Sequence, residues 1–241
     1  MTAHSTAPTF PRRRFLWSSS AAVAVVGLLG PDSTASASQL TKEQRDTLTP
    51  DEIVKRMLAG NERFATGAQK PRDFLKEQQA TADAQSPAAI ALTCVDSRTP
   101  LEVICDLGIG DTFNARVAGN VVNEDIVGSM EFACEVAGAK LIVVMGHTAC
   151  GAVKGAIDNV VLGHLSGLIA RIQPAILATT YQGDRASSNP EFVDLVARTN
   201  VSMAVKQIQE QSPVLQGLEK KGAIKIVGCM YDLRTARITL L

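Results

Sequence analysis

The sequence predicts an α/β fold with a mainly parallel central β-sheet that is flanked by helices. Two observations support this fold class. Apolar runs that suit buried strands recur along the chain, and segments with helical periodicity separate them. Strands that alternate with helices favour a parallel sheet, because parallel strands need long crossover connections. The predicted strands cover residues 88–94, 111–118 and 140–147, with two more inside 223–241.

The first 48 residues precede the predicted fold. Arg12, Arg13 and Arg14 are followed by an apolar run over 21–30 and by the small-residue pattern Ala35-Ser36-Ala37. Basic, apolar and small-residue segments in this order indicate a signal peptide over residues 1–37. Paired arginines followed by x-Phe-Leu resemble the twin-arginine export signal. We expect an exported protein, periplasmic or secreted, with a polar linker over 38–48 and one domain over 49–241.

Helix start and stop signals mark the elements between the strands. Thr49, Pro50 and Glu52 form a capping-box pattern that predicts a helix from residue 50 to Gly67. Asn123 and Gly138 predict the start and end of another helix. Further helices are predicted over 72–82, 150–161, 164–177 and 190–212.

Chemically reactive side chains follow two of the predicted strands. Cys94 and Asp96 come directly after the first strand, and His147 and Cys150 come at the end of the third. Ligands in open parallel sheets bind outside the carboxyl ends of the strands, so these side chains are expected to meet. Two thiolates and one imidazole are a zinc set with the fourth position free, as catalytic zinc requires.

Other interpretations of these residues are weaker. A lone C-x-D-x-R is a weak signal, and an H-x-x-C at the end of a buried strand is more often a packed core pair, but here both patterns occur, each at a strand end. The other cysteines, Cys105, Cys134 and Cys229, lack ligand spacing and are predicted to be core residues. There is no C-x-x-C redox motif and no phosphate-binding G-K-[ST] ending.

Together, C-x-D-x-R and H-x-x-C-G resemble the β-class carbonic anhydrases over about residues 49–241. The similarity includes "GNERFATG", "FNARVAGN" and "YDLRTARI". It implies the family's fold with an N-terminal helical arm, one zinc ion per chain on Cys94, His147 and Cys150, and reversible hydration of carbon dioxide by zinc-bound hydroxide. Asp96 and Arg98 match the family's catalytic dyad.

The resemblance also implies a substrate pocket and an oligomer. Asp96 is the candidate fourth zinc ligand in a closed state of the site. The family is built as dimers, so a homodimer or tetramer is expected, with pocket residues drawn from both chains. The positions that match the pocket for carbon dioxide and bicarbonate are Gln85, Phe113, Ala118, Phe132 and Gly151.

Composition limits the partners, and two alternatives to the main interpretation remain. The chain carries no net charge, and the part after residue 37 is slightly acidic, which argues against nucleic acid as a partner. No stable membrane partner is expected once the signal is removed. The alternatives are a zinc hydrolase of carbon disulfide or carbonyl sulfide, which would share the same ligands, and a non-catalytic zinc-binding protein.

Overall fold

A computed structural model describes residues 40–241 as a five-stranded mixed sheet flanked by helices. The strand order is β2-β1-β3-β4-β5, with β1 to β4 parallel and β5 antiparallel to β4. The strands are β1 Ala89–Thr93, β2 Thr112–Arg116, β3 Leu141–His147, β4 Lys225–Asp232 and β5 Arg237–Leu240. The α/β fold class and every predicted strand are confirmed.

Ten α-helices lie within the described residues. They are α1 Lys42–Thr47, α2 Pro50–Ala65, α3 Phe74–Ala80, α4 Leu101–Ile104, α5 Glu124–Glu131, α6 Gly151–Ile157, α7 Gly163–Ala170, α8 Gln173–Ala178, α9 Pro190–Gln211 and α10 Pro213–Lys220. A 3-10 turn over Ala118–Asn120 follows β2, and a π-helical turn over Phe132–Val136 continues α5. Sequence patterns predicted most of these helices but not α1, the four-residue α4, α10 or the π-helical turn.

The predicted helix caps are confirmed. The hydroxyl of Thr49 accepts the N–H of Glu52, and the Glu52 carboxylate accepts the Thr49 N–H, which completes the capping box at the start of α2. The side chain of Asn123 accepts the N–H of Ile126 at the start of α5. These caps satisfy N–H groups that have no partner inside the helix.

The prediction of a linker over residues 38–48 is wrong for its second half. Thr41 and Gln44 form a capping box that starts α1. Arg45 is only 3% exposed, and its guanidinium donates to the Ala137 carbonyl at 2.7 Å. A polar composition suggested solvent-exposed chain, but a buried arginine is tolerated where carbonyl groups accept its N–H donors.

Apolar side chains cover both faces of the sheet. Ile90 and Leu92 of β1 pack in one cluster with residues of α5, α6 and α9. Ala91, between them, points into a second cluster formed with α2 and α4. A strand buried on both faces belongs in the middle of a parallel sheet, and β1 lies between β2 and β3.

The N-terminal helical segment is fixed to its own sheet by a polar contact as well. Asn61 of α2 is buried, and its amide donates to the carbonyls of Ile104 and Ala236, each at 2.9 Å. Its oxygen accepts the N–H of Ile238 at 2.7 Å. One side chain therefore joins α2 to both α4 and β5.

None of the helices within residues 40–241 is long and apolar enough to cross a membrane. The predicted signal peptide, residues 1–37, lies outside the described residues.

Candidate metal centre

The sheet brings the residues singled out in the sequence to one edge. β1 and β3 are parallel neighbours, with Thr93 opposite Met145. Cys94 is the first residue after β1, and His147 is the last residue of β3. Cys150 follows on the turn that leads into α6. The expectation that the two motifs meet at the carboxyl ends of adjacent strands is confirmed.

The three side chains form a compact, buried group that can hold a metal ion. One ligand atom from each of Cys94, His147 and Cys150 lies within 4.8 Å of the others. The two sulfur atoms are 4.0 Å apart. Two thiolates on a tetrahedral zinc ion, each with a bond of about 2.3 Å, would be roughly 3.8 Å apart. The spacing therefore fits zinc with little movement.

The orientation of the His147 ring independently indicates a metal. Nδ1 lies 2.9 Å from the carbonyl oxygen of Thr148, so Nδ1 carries the proton and donates it there. Nε2 then presents a lone pair, and this buried atom has no hydrogen-bond partner among the described residues. A buried acceptor without a partner is costly. A metal ion bound at Nε2 removes that cost, and the Thr148 carbonyl fixes the tautomer that binding requires.

The two thiols are close enough for a hydrogen bond in which either sulfur can be the donor. This bond and the N–H of Gly119 lower the pKa of Cys94 to about 4. The same bond, together with burial, raises the pKa of Cys150. A cation that displaces the shared proton leaves two thiolates, which is the form that binds zinc.

Asp96 and Arg98 form a bidentate ion pair beside the cluster. The Nε and Nη2 groups of Arg98 donate to Oδ1 at 2.9 Å and to Oδ2 at 2.7 Å. These bonds hold the pKa of the Asp96 carboxyl well below its usual range. Oδ2 also lies 3.8 Å from Nε2 of His147. An ionised carboxylate therefore faces the metal-binding atoms.

A match to the carbonic anhydrase family model covers residues 89–238. The chain belongs to the carbonic anhydrase family. It is 35% identical over 193 residues to a carbonic anhydrase of Mycolicibacterium smegmatis. This alignment covers 77% of this chain and 90% of the relative.

Solved structures of β-carbonic anhydrases share the fold. The β-carbonic anhydrase CafA of Aspergillus fumigatus superposes with a TM-score of 0.62 at 28% identity, over 78% of this chain and 90% of that chain. One of two tetrameric β-carbonic anhydrases from Sordaria macrospora gives a TM-score of 0.59 at 22% identity, over 79% and 97% of the two chains.

The family fixes the reaction and the cofactor. As a carbonic anhydrase, the chain interconverts carbon dioxide and bicarbonate and uses zinc. Within the described residues, the group of two cysteines and one histidine is able to hold such an ion. The resemblance seen in the sequence is thereby confirmed at the level of family, fold and activity.

The five predicted pocket residues of this carbonic anhydrase do not all lie at the metal centre. Ala118 opens the turn whose Gly119 N–H donates to Cys94, and Gly151 follows Cys150. The rings of Phe113 and Phe132 meet edge to face, with their centroids 6.0 Å apart.

The two phenylalanines lie on a separate surface of the chain. They line an open groove of about 740 Å³ that none of the cluster residues lines. Gln85 is exposed in the loop before β1. The single chain therefore brings Ala118 and Gly151 next to the ligands, and it places the other three predicted pocket residues elsewhere.

The remaining cysteines are core residues, as predicted. Cys105, Cys134 and Cys229 are all buried and free. Burial raises the pKa of Cys134 and of Cys229 to about 12, so neither is a thiolate near neutral pH.

Sequence reasoning missed the residue that holds the loop after β1. Arg116, the last residue of β2, donates from Nε to the Cys94 carbonyl at 3.1 Å and from Nη2 to the Asp96 carbonyl at 2.5 Å. Thr99 donates to the Asp96 carbonyl at 3.0 Å as well. A signal was present, because Arg116 lies two residues before the end of the strand predicted over 111–118, close to the carboxyl edge of the sheet.

Proposed function

We propose that this carbonic anhydrase works at the Cys94, His147 and Cys150 cluster, with Asp96 as proton acceptor and Arg98 as the group that orients it. The bidentate contact between Arg98 and Asp96, beside the unpartnered Nε2 of His147, is the observation that carries the proposal. This contact keeps the Asp96 carboxylate ionised and in a fixed orientation beside the ligand group.

Each residue has a distinct part in this scheme. Zinc, when bound, supplies a Lewis acid that makes water a nucleophile near neutral pH. The two thiolates and the imidazole would hold the ion, and a set of three protein ligands suits a catalytic site that stays open to water or bicarbonate. Asp96 accepts a hydrogen bond from the attacking oxygen and directs its lone pair at carbon dioxide. Arg98 keeps Asp96 ionised and turned toward that position.

The Arg98 contact also separates two states of the site. Both carboxylate oxygens of Asp96 bond to Arg98 in this structure. If Arg98 were released, an oxygen of Asp96 would be free to occupy the fourth zinc position and block it. We propose that the Arg98-bound arrangement is the active one and that Asp96 is the fourth ligand of a closed state.

The test is the replacement of Asp96 by Asn, which keeps the shape and removes the charge. We expect Asp96→Asn to keep about one zinc ion per chain and to lose about 10²- to 10⁴-fold in carbon dioxide hydration, the usual contribution of a general acid or base. Asp184→Asn, at an exposed carboxylate, is the control and retains the rate. A full hydration rate in Asp96→Asn, measured by stopped flow, would exclude Asp96 from the reaction.

We further propose that the protein is a homodimer or tetramer whose chains share pocket residues. β2 is an edge strand, and Phe132 and Val136 nearby are 52% and 73% exposed. The related enzyme of Sordaria macrospora is tetrameric. Gln85, Phe113 and Phe132, which lie apart from the ligands of their own chain, would then serve the metal centre of a neighbouring chain.

Light scattering tests the assembly. We expect at least twice the chain mass at micromolar concentration, and a shift toward monomer in Phe132→Lys, because a charge is costly in an apolar interface. A monomeric wild-type protein would contradict the proposal.

Export through the twin-arginine route is proposed from residues 1–37 alone. We expect a double Arg12→Lys and Arg13→Lys variant to accumulate inside cells with its full-length mass, whereas the wild-type protein is found outside the cytoplasm without the first 37 residues. Equal export of both forms would exclude a twin-arginine signal.

A further inference from the structure

Helix α9 packs beside the metal centre without supplying a ligand. It contacts β3, β4, α6 and the 3-10 turn that follows β2. The side chains of Asn200 and Asp194 leave this helix toward the two backbone segments that carry the ligands. The function described above assigns no part to either residue.

Asn200 reaches the Cys94 side of the centre through one residue, Gly119. Its amide donates to the carbonyl of Gly119 at 2.9 Å, and the N–H of Gly119 donates to Sγ of Cys94 at 3.3 Å. Both bonds are buried. An N–H group that is aimed at a thiolate stabilises its negative charge, and Asn200 fixes the turn from which that N–H is aimed.

Asp194 reaches the other side, where the chain turns between His147 and Cys150. Its carboxylate accepts the N–H of Ala149 at 3.0 Å. Ala149 has φ of +55°, a left-handed conformation that costs a non-glycine residue energy and needs support from its surroundings. The neighbouring Thr148 is also held, since its hydroxyl accepts the N–H of Leu233 at 3.0 Å.

We propose that Asn200 and Asp194 are positioning residues that set the geometry of the metal centre through backbone groups. Asn200 fixes the hydrogen bond to the Cys94 sulfur, and Asp194 fixes the turn that sets the distance from His147 to Cys150. The inference rests on the ligand assignment made under the proposed function. Residues that orient metal ligands typically change metal affinity by 10- to 100-fold when they are replaced.

The experiment measures zinc loss from the full protein to a chelator and the visible spectrum of the Co²⁺-substituted form. Asn200→Leu keeps the branched shape of the side chain and removes the donor, with methyl groups in place of the amide oxygen and nitrogen. We expect zinc loss about 10- to 100-fold faster than in the wild type and a shift of the thiolate-to-cobalt band, because the Cys94 sulfur loses its fixed hydrogen bond. We expect Asp194→Ala to show the same two effects near the low end of that range, since its bond is exposed.

Matched variants separate positioning from general stability. Asp194→Asn retains an oxygen that accepts the Ala149 N–H, so it should keep zinc like the wild type. Ile208→Val weakens the buried face of the same helix away from both segments, and Arg198→Ala changes an exposed position. Both should leave the cobalt spectrum unchanged.

The possible results divide clearly. The inference is overturned if Asn200→Leu loses zinc at the wild-type rate and keeps the wild-type cobalt spectrum. It is also overturned if Ile208→Val loses zinc as fast as Asn200→Leu. If Asn200→Leu does not fold, the Asp194→Ala and Asp194→Asn pair decides, and equal zinc loss in the two overturns it. A wild-type protein that binds no zinc would instead refute the ligand assignment.

Discussion

Gly119→Ala is the most informative single substitution at this centre. Gly119 lies in the 3-10 turn after β2 with φ of +69°. Its N–H donates to the Cys94 sulfur and its carbonyl accepts from Asn200. Adding one methyl group here therefore perturbs a backbone unit that is bonded on both sides, without changing any side-chain donor or acceptor.

The structure sets the size of the effect. A non-glycine residue in the left-handed region costs about 1–2 kcal/mol. A Cβ at residue 119 would lie 2.7 Å from Cδ1 of Ile172 and 3.3 Å from Cβ of Ala152. Ile172 is fully buried, so relief requires core repacking that costs about 1–3 kcal/mol. We expect Gly119→Ala to lower the free energy of unfolding by about 2–5 kcal/mol.

The assay is urea unfolding at a fixed free zinc concentration, because bound metal contributes to stability. Gly167→Ala is the control, since it lies within α7 and a Cβ there meets nothing within 4 Å. That variant should gain about 0.5–1 kcal/mol from the higher helix propensity of alanine. A Gly119→Ala protein within about 0.5 kcal/mol of the wild type would refute the reasoning on strain and contact.

Three further predictions follow from the core and the metal. Asn61→Leu should cost about 3 kcal/mol in urea unfolding, because one buried and two partly buried backbone groups lose their partner. An unfolding free energy equal to that of the wild type would exclude these bonds as the link between α2 and the sheet. Burial raises the pKa of Cys134 and of Cys229 to about 12, so both should stay unlabelled by iodoacetamide at pH 8 in the folded protein and react after unfolding. Intact mass measures the labelling, and labelling of either cysteine in the folded state would contradict their burial. Removal of zinc by a chelator should lower the melting temperature, and added zinc should restore it; an unchanged Tm would mean that the cluster is not loaded.

The candidate ligands could be proposed from the sequence because Cys94 and His147 each stand at the end of an apolar run and Cys150 follows three residues later. Parallel neighbours align their carboxyl ends, so Cys94 and His147 needed only the prediction that β1 and β3 are adjacent. Cys134 and Cys229 could be assigned to the core on the same grounds, since they fall within a helical apolar face and a strand. Local sequence patterns therefore predict a site once the adjacency of the two strands is known.

The same reasoning failed for α1, where local polarity and tertiary contacts disagree. Residues 38–48 are polar, and polarity alone favours exposed chain. Arg45 is nonetheless buried, because the carbonyls of Pro87 and Ala137 accept its guanidinium donors. Every residue carries a backbone carbonyl, so no pattern of side chains predicts which carbonyls will accept hydrogen bonds from a buried arginine.

The contacts of α9 show why the rest of the site was also out of reach. Asn200 bonds to Gly119 across 81 residues of sequence, and Asp194 bonds to Ala149 across 45. Each partner is a peptide group, which is chemically the same at almost every position. A ligand set can be recognised because sulfur and imidazole are rare and specific. The groups that hold the ligands in place act through the common backbone, so only the folded structure reveals them. It follows that variants of Asn200 and Asp194, rather than further changes to the ligands, are the experiments that would show how this carbonic anhydrase tunes its metal.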